Sequence, residues 1–260
     1  AQEANLKSFD QKTFAYNTSS TGMFNAGYRL NPNNKISYNF LYVNSSSQVN
    51  DEYKGFIRDI AENDNGLVRR GTYTQNQLIV NQLLGSHKIN DQIEFNWGTS
   101  FNKIESQMPD RTQNTLWFND NIDGYNFAVN TTTDNHRYYQ SLTEDEFAVN
   151  VSGDYKFMKD ENEAFKGKLT IGYNGRFKKR DFEATQFNFK IANEQSNTLV
   201  NPYNLDTFFN TQNFNNGFFT IETFSGNNIR PQTYNGEQNI HAAFGLLEYK
   251  FSPKFTSVIG

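Results

Sequence analysis

Apolar and polar residues alternate one for one along stretch after stretch of this chain, and almost nowhere do they recur at helical spacing. In residues 25–43, Ala26, Tyr28 and Leu30 alternate with Asn25, Gly27 and Arg29. The turn Asn31-Pro32-Asn33-Asn34 follows, and then Ile36, Tyr38, Phe40 and Tyr42 alternate with Ser37 and Asn39. A strand points successive side chains to opposite faces, so this is a hairpin with one aromatic face and one polar face. The pattern returns with Ile93, Phe95, Trp97 and Phe101 against Glu94, Asn96, Ser100 and Asn102. It returns again with Phe147, Val149, Val151, Tyr155 and Phe157 against Asn150, Ser152, Asp154 and Lys156. Leu169, Ile171, Tyr173 and Phe177 stand against Lys168, Thr170, Asn174 and Arg176. Strands are predicted near 21–31, 35–47, 72–86, 91–104, 146–158, 167–181 and 240–251, with another beginning at 255–260. Phase is ambiguous in 77–85 and in 242–251, where Phe244 and Leu246 share a face with Glu248.

The connections between these strands carry more information. Short ones fall at 31–34, 87–90, 159–166 and 252–254, and long ones at 48–71, 105–145 and 182–239. Strict alternation of short and long predicts an antiparallel membrane barrel, with tight periplasmic turns and long extracellular loops. The predicted strand lengths also suit a tilted crossing, for which about 9–11 residues are needed. On this reading Tyr38, Phe40, Phe95, Trp97, Val149, Val151, Ile171 and Tyr173 face lipid. Asn25, Arg29, Ser37, Asn39, Asn96 and Asn174 face a wet interior. Asn33, Asn90, Glu161 and Pro253 fall on the turn side, and Glu62, Asp120 and Asn213 on the loop side. A sandwich core with a solvated outer face is the other reading of the same alternation.

Composition narrows the choice. Only 36% of the 260 residues are hydrophobic, and mean hydropathy is -0.78. Soluble domains carry about 45–50% apolar residues with glycine counted. Disorder does not follow, because aromatics reach 16% and net charge is only -4. A barrel between lipid and water needs only every second strand residue to be apolar. With no cysteine, thiol catalysis and disulfide frameworks are excluded. A sequence pI near 5.5 and the lack of a basic stripe argue against nucleic acid. No stretch approaches the roughly 18 apolar residues of a membrane helix, and the first residues, AQEANLKSFD, do not read as a signal peptide.

The segments YRLNPNNKISYNFLY and LLEYKFSPKFTSVIG, with the long Asn- and aromatic-rich loops, resemble the barrel of TonB-dependent outer-membrane receptors. The resemblance is to the Gram-negative branch with long surface loops and a carboxypeptidase-regulatory-like domain. Arg70-Gly71-Thr72 resembles that family's start of a strand after a surface loop. Glu248–Phe255 resembles its turn between consecutive strands. The resemblance covers the strands and not a plug, a TonB box or a terminal aromatic strand. It implies about eight strands from within a barrel of about 22, all of 1–260 belonging to that one domain. It further implies a transporter in the cell outer membrane, not an enzyme, that imports a scarce solute such as a glycan, a peptide or a metal chelate. Its partners would be outer-membrane lipid, the rest of its own barrel and plug, the TonB complex acting through that plug, and a surface lipoprotein lid. A passive porin and a soluble β-rich binding or adhesin module are the alternatives.

No motif for catalysis or for a cofactor stands out. His87, His136 and His241 lie far apart, without metalloenzyme spacing. Glu144, Asp145 and Glu146 read as a solvated loop end. Asn119, Asn121, Asp123 and Gly124 imitate the start of a calcium loop, but Asn130 replaces the bidentate Glu at its twelfth position, so a plain Asx-rich turn is favoured and no metal is expected. The ligand-contact candidates are Arg111, Trp117, Phe118, Asp120, Asp123, Tyr125, Tyr138 and Tyr139, all in the predicted loop at 105–145. Exposed aromatics there would stack on a ligand or pack as the loop's own small core. The Phe-rich segment 207–224 is expected to pack on itself.

Overall fold

A computed structural model describes residues 6–130, 134–160, 163–223 and 231–260. Its strands are β1 (Lys7–Asn31), β2 (Asn34–Ile57), β3 (Ala61–Lys88), β4 (Ile93–Asn119), β5 (Gly124–Phe127), β6 (His136–Lys159), β7 (Phe165–Ile191), β8 (Phe219–Thr223), β9 (Gln232–Ser252) and β10 (Phe255–Ile259). One short helix, α1, spans Thr211–Asn215. The fold is all-β: one antiparallel sheet in the order β1-β2-β3-β4-β6-β7-β9-β10, with β5 paired to β4 and β8 to β7. The sheet is not closed. The eight strands of the main path occupy the eight predicted places.

The strands are far longer than expected. β3 has 28 residues and β4 has 27. The long connection expected at 48–71 is therefore corrected: it is strand almost throughout, turning only between Ile57 and Ala61. Arg70-Gly71-Thr72 lies inside β3, not at its start. The other two long connections also shrink, because β4 runs on to Asn119 and β7 to Ile191. What remains at that end is β5, α1, β8 and the chain linking them, so strict alternation of short and long does not hold. The extensions are held by polar cross-strand pairs such as Thr13 with Asp51 (2.6 Å) and Ser106 with Asn76 (2.7 Å).

The short turns follow a common device. Asn31 Oδ1 accepts from the backbone N–H of Asn33 (3.0 Å), and Asn90 Oδ1 from Gln92 and Ile93 (2.8 Å each). Asp160 Oδ1 accepts from Ala164 (2.9 Å) and Ser252 Oγ from Lys254 (3.3 Å). Each short side chain satisfies backbone donors that the turn would leave open. Glu161, in the third of these turns, lies outside the described residues.

Register assigns the faces. Directly opposed residues share a face. Tyr38 pairs with Leu83, Leu83 with Thr99, Thr99 with Val149 and Val149 with Gly175. Phe40, Phe95, Trp97, Val151, Ile171 and Tyr173 alternate in phase with that row, so all eight positions expected to share one face do so. The opposite face carries the row Asn25, Asn39, Gln82, Ser100, Ala148 and Arg176. Trp97 lies across Gly85, where a Cβ would come within 2.2 Å of its indole nitrogen.

The buried core sits at one end only. Leu67, Leu116, Phe127, Ile191, Val200, Phe208 and Phe219 form its larger cluster. A second cluster, Ile57, Ala61 and Val68, packs with Phe9, Tyr53 and Trp117. We call this the far end, opposite the short turns. Elsewhere large apolar side chains stand uncovered along the sheet. The accessible surface is 16739 Å², against roughly 11,700 Å² for a compact monomer of this mass.

Candidate functional site

The eight ligand-contact candidates do not form one site. Trp117 packs against the smaller core cluster. Phe118 meets Tyr125 edge-on at 5.2 Å, and Tyr139 meets Phe187 at 5.9 Å. Asp120 and Asp123 are exposed in the turn between β4 and β5. Only Arg111 and Tyr138 come together as a polar pair, the guanidinium lying 4.4 Å above the ring.

A bulge brings that pair about. Register shifts on both sides of β4 between residues 107 and 111, at Met108–Pro109. One extra residue there reverses which face the following side chains take. Before the bulge, odd-numbered residues of β4 lie on the aromatic face; after it, Arg111 and Gln113 lie on the polar face. Arg70, on that same face of β3, donates to Gln113 Oε1 from Nε at 2.9 Å. Asp51, directly opposite Arg70 on β2, accepts from Thr13 at 2.6 Å and from Gln11 at 3.3 Å. The Arg111 Nε is buried without a hydrogen-bond partner among the described residues. Burial, and then the like charge of Arg70, lower the Arg111 pKa from its ordinary value.

Farther down the polar face lies an ion network. Glu144 and Glu146, expected at a solvated loop end, are buried inside β6. Lys178 Nζ bridges them at 3.1 and 2.9 Å. Arg180 Nε donates to Glu144 at 2.8 Å, and Asn102 Nδ2 to Glu146 at 2.9 Å. The correction has a plain cause: β6 and β7 pair far beyond the predicted strand, which sets basic side chains beside both carboxylates. Below this network a cavity of about 820 Å³ is lined by Ser37, Gln82, Asn96, Asn150, Asn174 and Arg176, among others.

The Phe-rich segment packs on itself as expected. Phe208 and Phe209 pack on Phe127 at 4.8 and 5.1 Å. This cap covers Leu67 and Leu116, which lie on the aromatic side of the sheet. Beside it a cavity of about 600 Å³ is lined by Arg69, Arg137, Phe189, Tyr203 and Phe214, among others. Sequence reasoning named only Phe214 of these, within the Phe-rich segment, because the five come from β3, β6, β7, α1 and the chain before α1.

The three histidines lie in three different strands. His87, expected in a turn, lies within β3 and accepts at Nε2 from Trp97 Nε1 (3.0 Å). His241 is inside β9, 2.6 Å from the Tyr173 hydroxyl, and His136 opens β6 rather than lying in a loop. Asn119 Oδ1 accepts from the Asn121 N–H (3.1 Å), which is an Asx turn. Among the described residues no group of three His, Cys, Asp or Glu could hold a metal ion. No described helix is long and apolar enough to cross a membrane. No family model matches the chain, and no curated protein matches it.

Proposed function

We propose that this chain is part of the wall of an outer-membrane β-barrel and that it serves solute uptake. The observation that carries the reading is an apolar band on one face of the sheet. It runs from Ile93 to Phe101 on β4, from Phe147 to Tyr155 on β6 and from Leu169 to Phe177 on β7, in register across all three. Each stretch is about nine residues, which suits a tilted strand crossing the hydrocarbon core. Beyond it the same face turns polar at Lys103, Asp145 and Lys179. Among the described residues no other part of the chain covers the band: Phe95, Phe101 and Ile171 are exposed. Lipid is the cover that fits a belt of this height, and the opposite face, lined with amides and ion pairs, fits a wet interior.

Tyr155, Phe157, Tyr249 and Phe251 stack in sequence near the short turns at 4.8–6.5 Å, as an interfacial aromatic girdle would. The open sheet has two unpaired edges, β1 and β10, which in lipid must be paired with further strands. The resemblance to TonB-dependent receptors supplies the rest of the proposal: a larger barrel with a plug, driven by the TonB complex, importing a glycan, a peptide or a metal chelate, with a surface lipoprotein as partner. The cap lies on the outer side of the sheet, so closure over the ligand would fall to other segments.

Single cysteines test the reading, since the native chain has none. An impermeant thiol reagent applied to intact cells is expected to label position 62 or 120 and to spare positions 33 and 90. Equal labelling of both sets would sink the membrane reading in favour of a soluble module.

A further inference from the structure

We infer that Arg70 and Arg111 form a recognition site for an oxyanion group, a carboxylate, sulfate or phosphate, carried by a solute on the polar face. The inference rests on the reading of that face as the wet one.

Register sets Arg70 opposite Gln113 and Arg111 opposite Thr72, so the two guanidiniums are diagonal neighbours on one face of β3 and β4. No ion pair engages either one among the described residues. The nearest carboxylate across the strands, Asp51, is held by Thr13 and Gln11 of β1. Several basic residues on this face are matched to acids, as Lys178 is to Glu144 and Glu146, and Lys168 to Asp154 (3.4 Å). Arg70 and Arg111 are not, and a like-charge pair is unfavourable until an anion joins it.

The local chain is built to hold the pair. The bulge at Met108–Pro109 turns Arg111 away from the aromatic face. Tyr138 stacks under its guanidinium at 4.4 Å, and Gln113 anchors Arg70 at 2.9 Å. Arginine held flat presents a rigid fork that matches the two oxygens of a carboxylate or the edge of a sulfate or phosphate. The orphaned Nε of Arg111 adds a donor with nothing to donate to. A bulge that re-aims one side chain is a recurrent way of placing a functional group. The site stands above the lipid-facing band, where an incoming solute would meet it first.

The test uses the intact protein in detergent, with citrate, a galacturonate hexamer and an uncharged glucose hexamer as probes, titrated by calorimetry at low and high salt. At least one charged probe is expected to bind saturably and to weaken with salt, while the glucose hexamer does not bind this site. Arg70→Gln and Arg111→Gln should each weaken binding at least tenfold. Arg111→Lys should fall between, because it keeps the charge and loses the fork. Arg137→Gln, on the aromatic side, should leave binding unchanged. Equal affinity for charged and uncharged hexamers, indifference to both Gln variants, or no saturable binding of either charged probe overturns the inference. Reconstitution of each variant into liposomes is read separately. A protein that inserts but ignores anions defeats the site alone; one that binds anions but stays soluble defeats the membrane reading alone.

Discussion

Phe127 at the far end of the sheet and Ile171 near its turn end are both large apolar residues in strands, yet the first is 0% exposed and the second 62%. At the far end the chain supplies its own cover. Phe208, Phe209 and Phe219 fold over β3, β4 and β7 and enclose Leu67, Leu116 and Ile191. At the turn end a comparable density of aromatics is left without cover, although the strands are continuous from one end to the other. On the proposed reading the same chain meets two surroundings. Where both sides of the sheet meet water, an apolar group must be buried by protein. Where the surroundings are themselves apolar, burial by protein brings no gain, and alternation alone suffices.

The largest test of this contrast is Phe127→Ala. Removing a fully buried phenyl costs about 3–5 kcal/mol, and the loss should stay in the cap. Hydrogen exchange is expected to quicken at the Val200 amide, which bonds the Tyr125 carbonyl at 2.9 Å, and at the β7–β8 pairs. The amides of β2 and β3 around Tyr38 and Leu83 should keep their protection. Spread of fast exchange into that region would mean that the two ends form one cooperative unit.

A charge placed on the band comes next. Val151→Arg should lower folding stability in a bilayer by roughly 2–4 kcal/mol, as a charge at mid-depth on a lipid face does. Asn150→Arg, one residue away on the polar face, should be tolerated. Refolding into liposomes with denaturant titration measures both. Equal penalties would remove the distinction between the faces.

How far the sequence could be read follows the same line. Period two was visible in 93–101 and 169–177, where apolar and polar side chains take opposite faces. It was invisible in 48–57 and 61–71, where Asn50, Asp51 and Glu52, and again Glu62, Asn63, Asp64 and Asn65, present polar groups to both sides. A strand that is wet on both faces has no alternation to show. The stretch 105–119 was read as loop, whereas Pro109 occupies a bulge there, one of the few strand positions open to proline. That bulge also explains the candidate site. Arg111 and Tyr138 were named, but Arg70 was placed at a strand start, and a register shift between β3 and β4 cannot be seen in either strand alone. The acidic run at 144–146 was misjudged for want of its partners on β7, some 34 positions away in sequence.

A smaller effect is expected at Glu146→Gln. The carboxylate accepts from Asn102 and pairs with Lys178 at 2.9 Å. Lys178 keeps Glu144 as a partner, so the loss should be about 1–2 kcal/mol, near the low end for hydrogen bonds to charged groups. Liposome refolding of this variant beside Val151→Arg compares the wet face with the band. A loss as large as that of Val151→Arg would mean that the polar face is more tightly closed by protein than the contrast allows.

The smallest effect belongs to the turn between β4 and β5, which has neither kind of cover. Asp120 is exposed there, and Asp123 sits at φ 50°, a left-handed conformation. Exposed substitutions away from special backbone usually stay within about 0.5 kcal/mol, so Asp120→Ala should leave the melting temperature nearly unchanged. Asp123→Gly should be close to neutral as well, because glycine takes that conformation freely but loses more chain entropy on folding. Neither variant should alter anion binding, since both positions lie off the Arg70–Arg111 pair. Thermal melts and the galacturonate titration check both statements. If Asp120→Ala abolished binding while Arg111→Gln did not, ligand contact would belong to the turn, and the far end would bind through its loop tips rather than through the polar wall beneath them.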